Sequence, residues 1–66
     1  MKVQVNGEDT EFDDSVTIAQ VVERLGLRTR RVAIELNRTL VERECWQTTA
    51  LRAGDRVEIV QFVGGG

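Results

Sequence analysis

The sequence predicts an α+β fold in which one short helix lies across one face of a mixed sheet of four to five strands. Three observations carry this expectation. An Asn-Gly dipeptide separates two short segments at the start of the chain, residues 17–27 form a fully punctuated amphipathic helix, and apolar residues alternate through 32–36 and 56–63. A single helix covers only one side of a sheet, so one face is packed and the other is open.

Residues 1–5 alternate apolar and polar, and Asn6-Gly7 is a favoured pair for a two-residue type I′ turn before residues 8–12 return. In that register Val5 faces Glu8, Val3 faces Thr10 and Met1 faces Phe12, which collects the apolar residues on one side. On the other side Lys2 meets Glu11 as a cross-strand charge pair.

The helix follows. Thr17 as N-cap and Gln20 three residues later make a capping box, and Val16 is spaced to staple onto Val21. Ile18, Val21, Val22 and Leu25 recur at helical spacing as one apolar face, with Gln20, Glu23 and Arg24 outward. Gly26 suits the left-handed position that ends a helix, and Leu27 is placed to contact Val22 in a Schellman ending.

In the third strand, residues 32–36, Val32, Ile34 and Leu36 point inward and Ala33 and Glu35 outward. Asn37-Arg38 forms a turn, residues 39–43 a short fourth strand, and residues 44–50 an irregular crossing anchored by Trp46. Ala53-Gly54-Asp55 is a turn signal. The last strand, residues 56–63, sets Val57, Ile59, Gln61 and Val63 on one side and Arg56, Glu58, Val60 and Phe62 on the other. Both of its faces become apolar near the end.

At 66 residues the chain is one domain, residues 1–62, with a glycine tail at 63–66. A chain this short buries only about 60% of the surface it exposes when unfolded, which leaves no room for a large internal pocket. The absence of histidine removes the usual general base near neutral pH and the commonest metal ligand. One cysteine rules out an internal disulfide and a Cys-x-x-Cys site. With 9 basic and 11 acidic residues and a pI near 5.0, the chain has no nucleic-acid footprint. No apolar run approaches the roughly 20 residues that span a bilayer, and no charged, apolar leader opens the chain. Neither nucleic acid nor membrane is an expected partner, and the expected location is the cytoplasm, where a lone thiol stays reduced.

Gly64, Gly65 and Gly66 follow the apolar end of the last strand directly. Glycine lacks a Cβ, so such a tail fits a narrow enzyme channel that any side chain blocks. Residues 63–66, fully extended, reach at most roughly 14 Å. The competing reading is an ordinary frayed terminus. Val60 and Phe62 have the parity opposite to Val57 and Ile59, so they form either an apolar docking patch beside the tail or a surface covered by a loop. Cys45, beside Trp46, reads as a small core hydrophobe rather than a sulfur relay. The basic group Arg28, Arg30 and Arg31 and the acidic group Glu8, Asp9, Glu11, Asp13 and Asp14 read as solvated faces.

The chain resembles the ThiS family of ubiquitin-like sulfur carriers of thiamine biosynthesis, the ThiS/MoaD family, over its whole length. The matching stretches are Val5-Asn6-Gly7-Glu8, Val32-Ala33-Ile34-Glu35-Leu36-Asn37, Trp46, and the run from Gly54-Asp55-Arg56 through Phe62-Val63 to Gly64-Gly65-Gly66. The resemblance implies a β-grasp fold and a carrier with no catalytic residues and no bound cofactor or metal of its own. It implies that a ThiF-like E1 adenylyltransferase uses ATP and magnesium to adenylate the carboxylate of Gly66, and that a sulfur donor, such as a cysteine desulfurase system, then gives a C-terminal thiocarboxylate. It implies further that Val63, Gly64, Gly65 and Gly66 enter the partner's active site, that Val60 and Phe62 dock, and that a ThiG-like thiazole synthase receives the sulfur. Two other functions share these features: a MoaD-like carrier for molybdopterin synthesis, and a ubiquitin-like interaction module whose tail is passive or forms isopeptides.

Overall fold

The computed structural model describes residues 1–27 and 31–62. The described chain runs β1 (Lys2–Val5), β2 (Glu8–Glu11), α1 (Ile18–Arg24), β3 (Val32–Leu36), β4 (Thr39–Leu40), a 3₁₀ helix (Arg43–Thr48) and β5 (Arg56–Gln61). The five strands make one sheet in the order β2-β1-β5-β3-β4. Only β1 and β5 pair parallel; the other three pairs are antiparallel.

The first hairpin has the expected register, Lys2 opposite Glu11 and Val5 opposite Glu8. Asn6 at φ +49° and Gly7 at φ +84° supply the two positive φ angles that a type I′ turn requires. The Phe12 amide donates to the Met1 carbonyl at 2.9 Å, which extends the ladder by one pair. The Glu11 carboxylate does not settle on Lys2, its cross-strand neighbour; it lies 3.5 Å from the Met1 amino group.

α1 carries both halves of the capping box: the Gln20 amide donates to the Thr17 hydroxyl at 3.2 Å, and the Thr17 amide donates to the Gln20 side-chain oxygen at 2.9 Å. At the other end the Leu27 amide donates to the Val22 carbonyl and the Gly26 amide to the Glu23 carbonyl, the two bonds of a Schellman ending, with Gly26 at φ +69°. Ile18, Val21 and Val22 are fully buried, a contribution of about 1.5–3 kcal/mol each. Leu25 departs from the expected face and is 42% exposed. It is the C-cap of a seven-residue helix, one position past the last full turn, and lies at the rim of the covered area.

The helix, Val3, Val32, Ile34 and Val57 from the sheet, and Phe12, Trp46 and Leu51 form one core. Arg24 closes its edge: the guanidinium sits 4.7 Å from the centre of the Phe12 ring and donates to the Glu11 carbonyl at 2.9 Å. Leu51 is buried because the chain around it pairs with the approach to α1. The Leu51 amide donates to the Val16 carbonyl and the Ile18 amide to the Thr49 carbonyl. Nothing periodic around Leu51 marks it as core in the sequence.

β4 is only two residues long, against the five expected, because the chain passes through Val41 into the 3₁₀ helix. Trp46 anchors this crossing as expected, buried and donating from its indole nitrogen to the Val41 carbonyl at 3.0 Å. Cys45, by contrast, is exposed and is not a core residue. With about three residues per 3₁₀ turn, adjacent side chains diverge by a third of a turn, so Trp46 facing inward turns Cys45 outward.

Two outcomes are expected. Thr17→Ala removes the N-cap acceptor and costs about 1 kcal/mol, read in thermal unfolding as a fall of about 4–8 °C in Tm. The Cys45 thiol of the native chain reacts with an aromatic disulfide reagent as fast as in denaturant, whereas a core thiol is protected until the chain unfolds.

Candidate functional site

The site is built around β5, the middle strand of the sheet. It runs from the Ala53-Gly54-Asp55 turn toward residues 63–66 and pairs with β1 on one side and β3 on the other. Its start is fixed by side chains from two turns. The Arg56 amide donates to the Asn37 side-chain oxygen at 3.0 Å, and the Asn37 side-chain nitrogen donates to the Asp55 carboxylate at 3.1 Å. Asp55 also accepts from the Arg52 amide at 2.8 Å, which holds the preceding turn around Gly54 at φ +88°.

Its far end is held from both sides. The antiparallel register with β3 pairs Val32 with Gln61 and Ala33 with Val60, and the Phe62 amide still donates to the Arg31 carbonyl at 2.7 Å. On the β1 side the Ile59 amide donates to the Asn6 side-chain oxygen at 2.7 Å, and the Asn6 side-chain nitrogen donates to the Ile59 carbonyl at 3.3 Å. In the sequence Asn6 marks only a turn. A single Asn-Gly signal is fully explained by its hairpin, so nothing local announces this second set of bonds.

The open face carries the side chains that alternate away from the helix. Val60 is 52% exposed, Phe62 59% and Leu40 56%. Ala33 lies opposite Val60, and Glu35 lies opposite Glu58 on one side and Leu40 on the other, so these residues share the face. Of the two readings of Val60 and Phe62, the exposed patch is the one observed. The register also sets two like charges, Glu35 and Glu58, directly across from one another beside it, an arrangement that disfavours the free sheet.

Val63, Gly64, Gly65 and Gly66 lie outside the described residues, as do Arg28 and Arg30 of the basic group. Arg31 is exposed, and so are Glu8, Asp9, Glu11, Asp13 and Asp14. Among the described residues no group of three or more His, Cys, Asp or Glu is arranged to hold a metal ion, and no helix is long and apolar enough to cross a membrane.

The ThiS family model matches residues 3–66. The chain is 34% identical to the sulfur carrier protein ThiS of Bacillus subtilis, covering 97% of this chain and 98% of that one. It is 39% identical over its full length to a thiazole synthase of Paramagnetospirillum magneticum, of which it covers 20%. The chain thus spans about a fifth of the length of the first curated relatives it matches. The crystal structure of ThiS from Geobacter metallireducens superposes with a TM-score of 0.85 at 33% identity, with both chains covered completely. The mixed five-stranded sheet with one helix across it is the β-grasp fold, and the chain belongs to the ThiS family.

Proposed function

We propose that this chain is a sulfur carrier for the thiazole of thiamine, a protein cosubstrate rather than an enzyme. The observation that carries this reading is that the family match continues to Gly66 and so includes all three glycines after the last strand. The identity to a protein named thiazole synthase favours thiazole as the destination of the sulfur over a pterin.

The chemistry needs little from the carrier. A carboxylate resists attack because oxide is a poor leaving group. One oxygen of the Gly66 carboxylate therefore attacks the α-phosphorus of ATP, and pyrophosphate leaves. The resulting mixed anhydride accepts the terminal sulfur of a donor persulfide at its carbonyl carbon, and AMP departs with the bonding electron pair; a thiol of the donor system then attacks the other sulfur of this acyl disulfide, forming a disulfide and releasing the thiocarboxylate. A ThiF-like E1 partner holds the ATP and magnesium, a cysteine desulfurase system supplies sulfur, and a ThiG-like thiazole synthase receives it. The carrier contributes no acid or base, which is consistent with a chain that has no histidine.

Val60 and Phe62 seat the partner while Val63, Gly64, Gly65 and Gly66 enter its active site. A partner cation between Glu35 and Glu58 relieves their repulsion, so docking combines an apolar contact with charge complementarity. The setting is the cytoplasm, where the exposed Cys45 thiol stays reduced.

Mass spectrometry of the intact chain and its C-terminal peptide, after incubation with a ThiF-like enzyme, ATP, magnesium and a sulfur donor, tests the reading. Replacement of one Gly66 oxygen by sulfur is expected, and a chain lacking Gly66 gives none. Absence of both adenylate and thiocarboxylate, with an activating enzyme active on another carrier, rejects it. Phe62→Asp is expected to raise the KM for the carrier about tenfold, a loss of ~1.4 kcal/mol, with Tm unchanged because the side chain is exposed. An unchanged KM removes Phe62 from the docking surface.

A further inference from the structure

We infer that Asn6 is a positioning residue for the C-terminal segment: its carboxamide replaces a missing rung of the β1–β5 ladder and so fixes the strand as far as Phe62, the residue from which that segment starts. The effect on catalysis rests on the carrier reading above. The parallel ladder advances by two residues at a time, from the Gln4 amide on the Asp55 carbonyl to the Asn6 amide on the Val57 carbonyl, each at 2.9 Å. The next rung belongs to the amide of residue 8 and the Ile59 carbonyl. At that point β1 has already turned back through Asn6 and Gly7 to become β2.

The Asn6 side chain takes that place. Its nitrogen donates to the Ile59 carbonyl at 3.3 Å and its oxygen accepts the Ile59 amide at 2.7 Å, so one carboxamide acts as a peptide unit of an absent strand. Without it, β5 beyond Val57 is paired on the β3 side alone, through Ala33 opposite Val60, Val32 opposite Gln61, and the Phe62 amide on the Arg31 carbonyl. A strand held on one edge can swing about that edge, and any swing at Ile59 is carried forward to the chain end. Transition-state geometry is sensitive to displacements of about 1 Å, which cost up to about a hundredfold in rate.

The left-handed φ of Asn6 dictates the test variants. Asn6→Gly keeps the turn, because glycine adopts φ near +49° without strain, and deletes the carboxamide. Asn6→Asp keeps an acceptor for the Ile59 amide but sets an oxygen against the Ile59 carbonyl. Thr17→Ala, remote from β5, is the control for a general loss of stability.

Pyrophosphate release by a ThiF-like enzyme is followed as a function of carrier concentration, together with amide exchange at Ile59. For both Asn6 variants kcat is expected to fall about tenfold with KM within about twofold, since the docking patch is intact, and Ile59 exchange quickens. Thr17→Ala retains kcat. Equal kcat for the Asn6 variants and the unsubstituted chain overturns the inference, as does a matching fall in Thr17→Ala. If the unsubstituted chain itself is not adenylated, the carrier reading fails instead. Ile59 exchange then decides the grip alone: faster exchange in both variants supports it, and unchanged exchange overturns it.

Discussion

The fold depends on one constraint: the last strand in sequence is the middle strand in space. β5 must find hydrogen-bond partners on both edges, parallel to β1 and antiparallel to β3, before the sheet exists as one piece. Unpaired buried backbone groups are costly, so the outer hairpins gain a common core only when β5 enters between them. Two asparagines, each at the first position of a two-residue turn with positive φ, secure its ends: Asn37 at Arg56 and Asn6 at Ile59. Each turn therefore closes its own hairpin and also ties that hairpin to β5.

With β5 in place, the two faces of the sheet have different fates. Helix α1 and the 3₁₀ crossing bury Val3, Ile34 and Val57, and the cationic side chains of Arg24 and Arg43 lie over the rings of Phe12 and Trp46 at the margins of that core. Among the described residues α1 is the one α-helix, and it lies on the core side, leaving no second one for the other face. Val60, Phe62 and Leu40 are left in solvent on that side, and Val60 and Phe62 lie at the end of β5 from which the chain continues to its glycines. The apolar patch and the root of the tail thus belong to the same strand.

Much of this was legible in the sequence wherever the signal was local. Asn6-Gly7 fixed a hairpin and its register because few dipeptides accept two positive φ angles, and Thr17, Gln20, Gly26 and Leu27 marked both ends of α1 through bonds within the helix itself. The opposite parity of Val60 and Phe62 to Val57 was enough to separate the two faces of β5. Failures came where tertiary pairing decides. Leu51 is buried by a bridge to the segment before α1, Cys45 turns outward because Trp46 turns inward, and β4 stops early for the 3₁₀ helix. The place of β5 between β1 and β3 depends on pairing between segments distant in the chain, and the second role of Asn6 on contacts 53 residues apart.

A glycine tail carries an energetic cost that the rest of the molecule must offset. Fixing the backbone of one residue costs about 1–2 kcal/mol, and glycine loses more freedom than any other residue. In the carrier reading, threading residues 63–66 into a channel therefore opposes binding by several kcal/mol before any contact is made. The glycines return little, having no side chains to bury. The compensation has to come from other surface of the carrier, and Val60, Phe62 and Leu40 are exposed large apolar residues on the open face of the sheet. Rigidity at the root works in the same direction: β5 is pinned at Ile59 and Phe62, so no residue up to Phe62 has to be ordered on binding. In the carrier reading, docking affinity and access to the active site are therefore set by different residues, those at the end of β5 and those of the glycine tail.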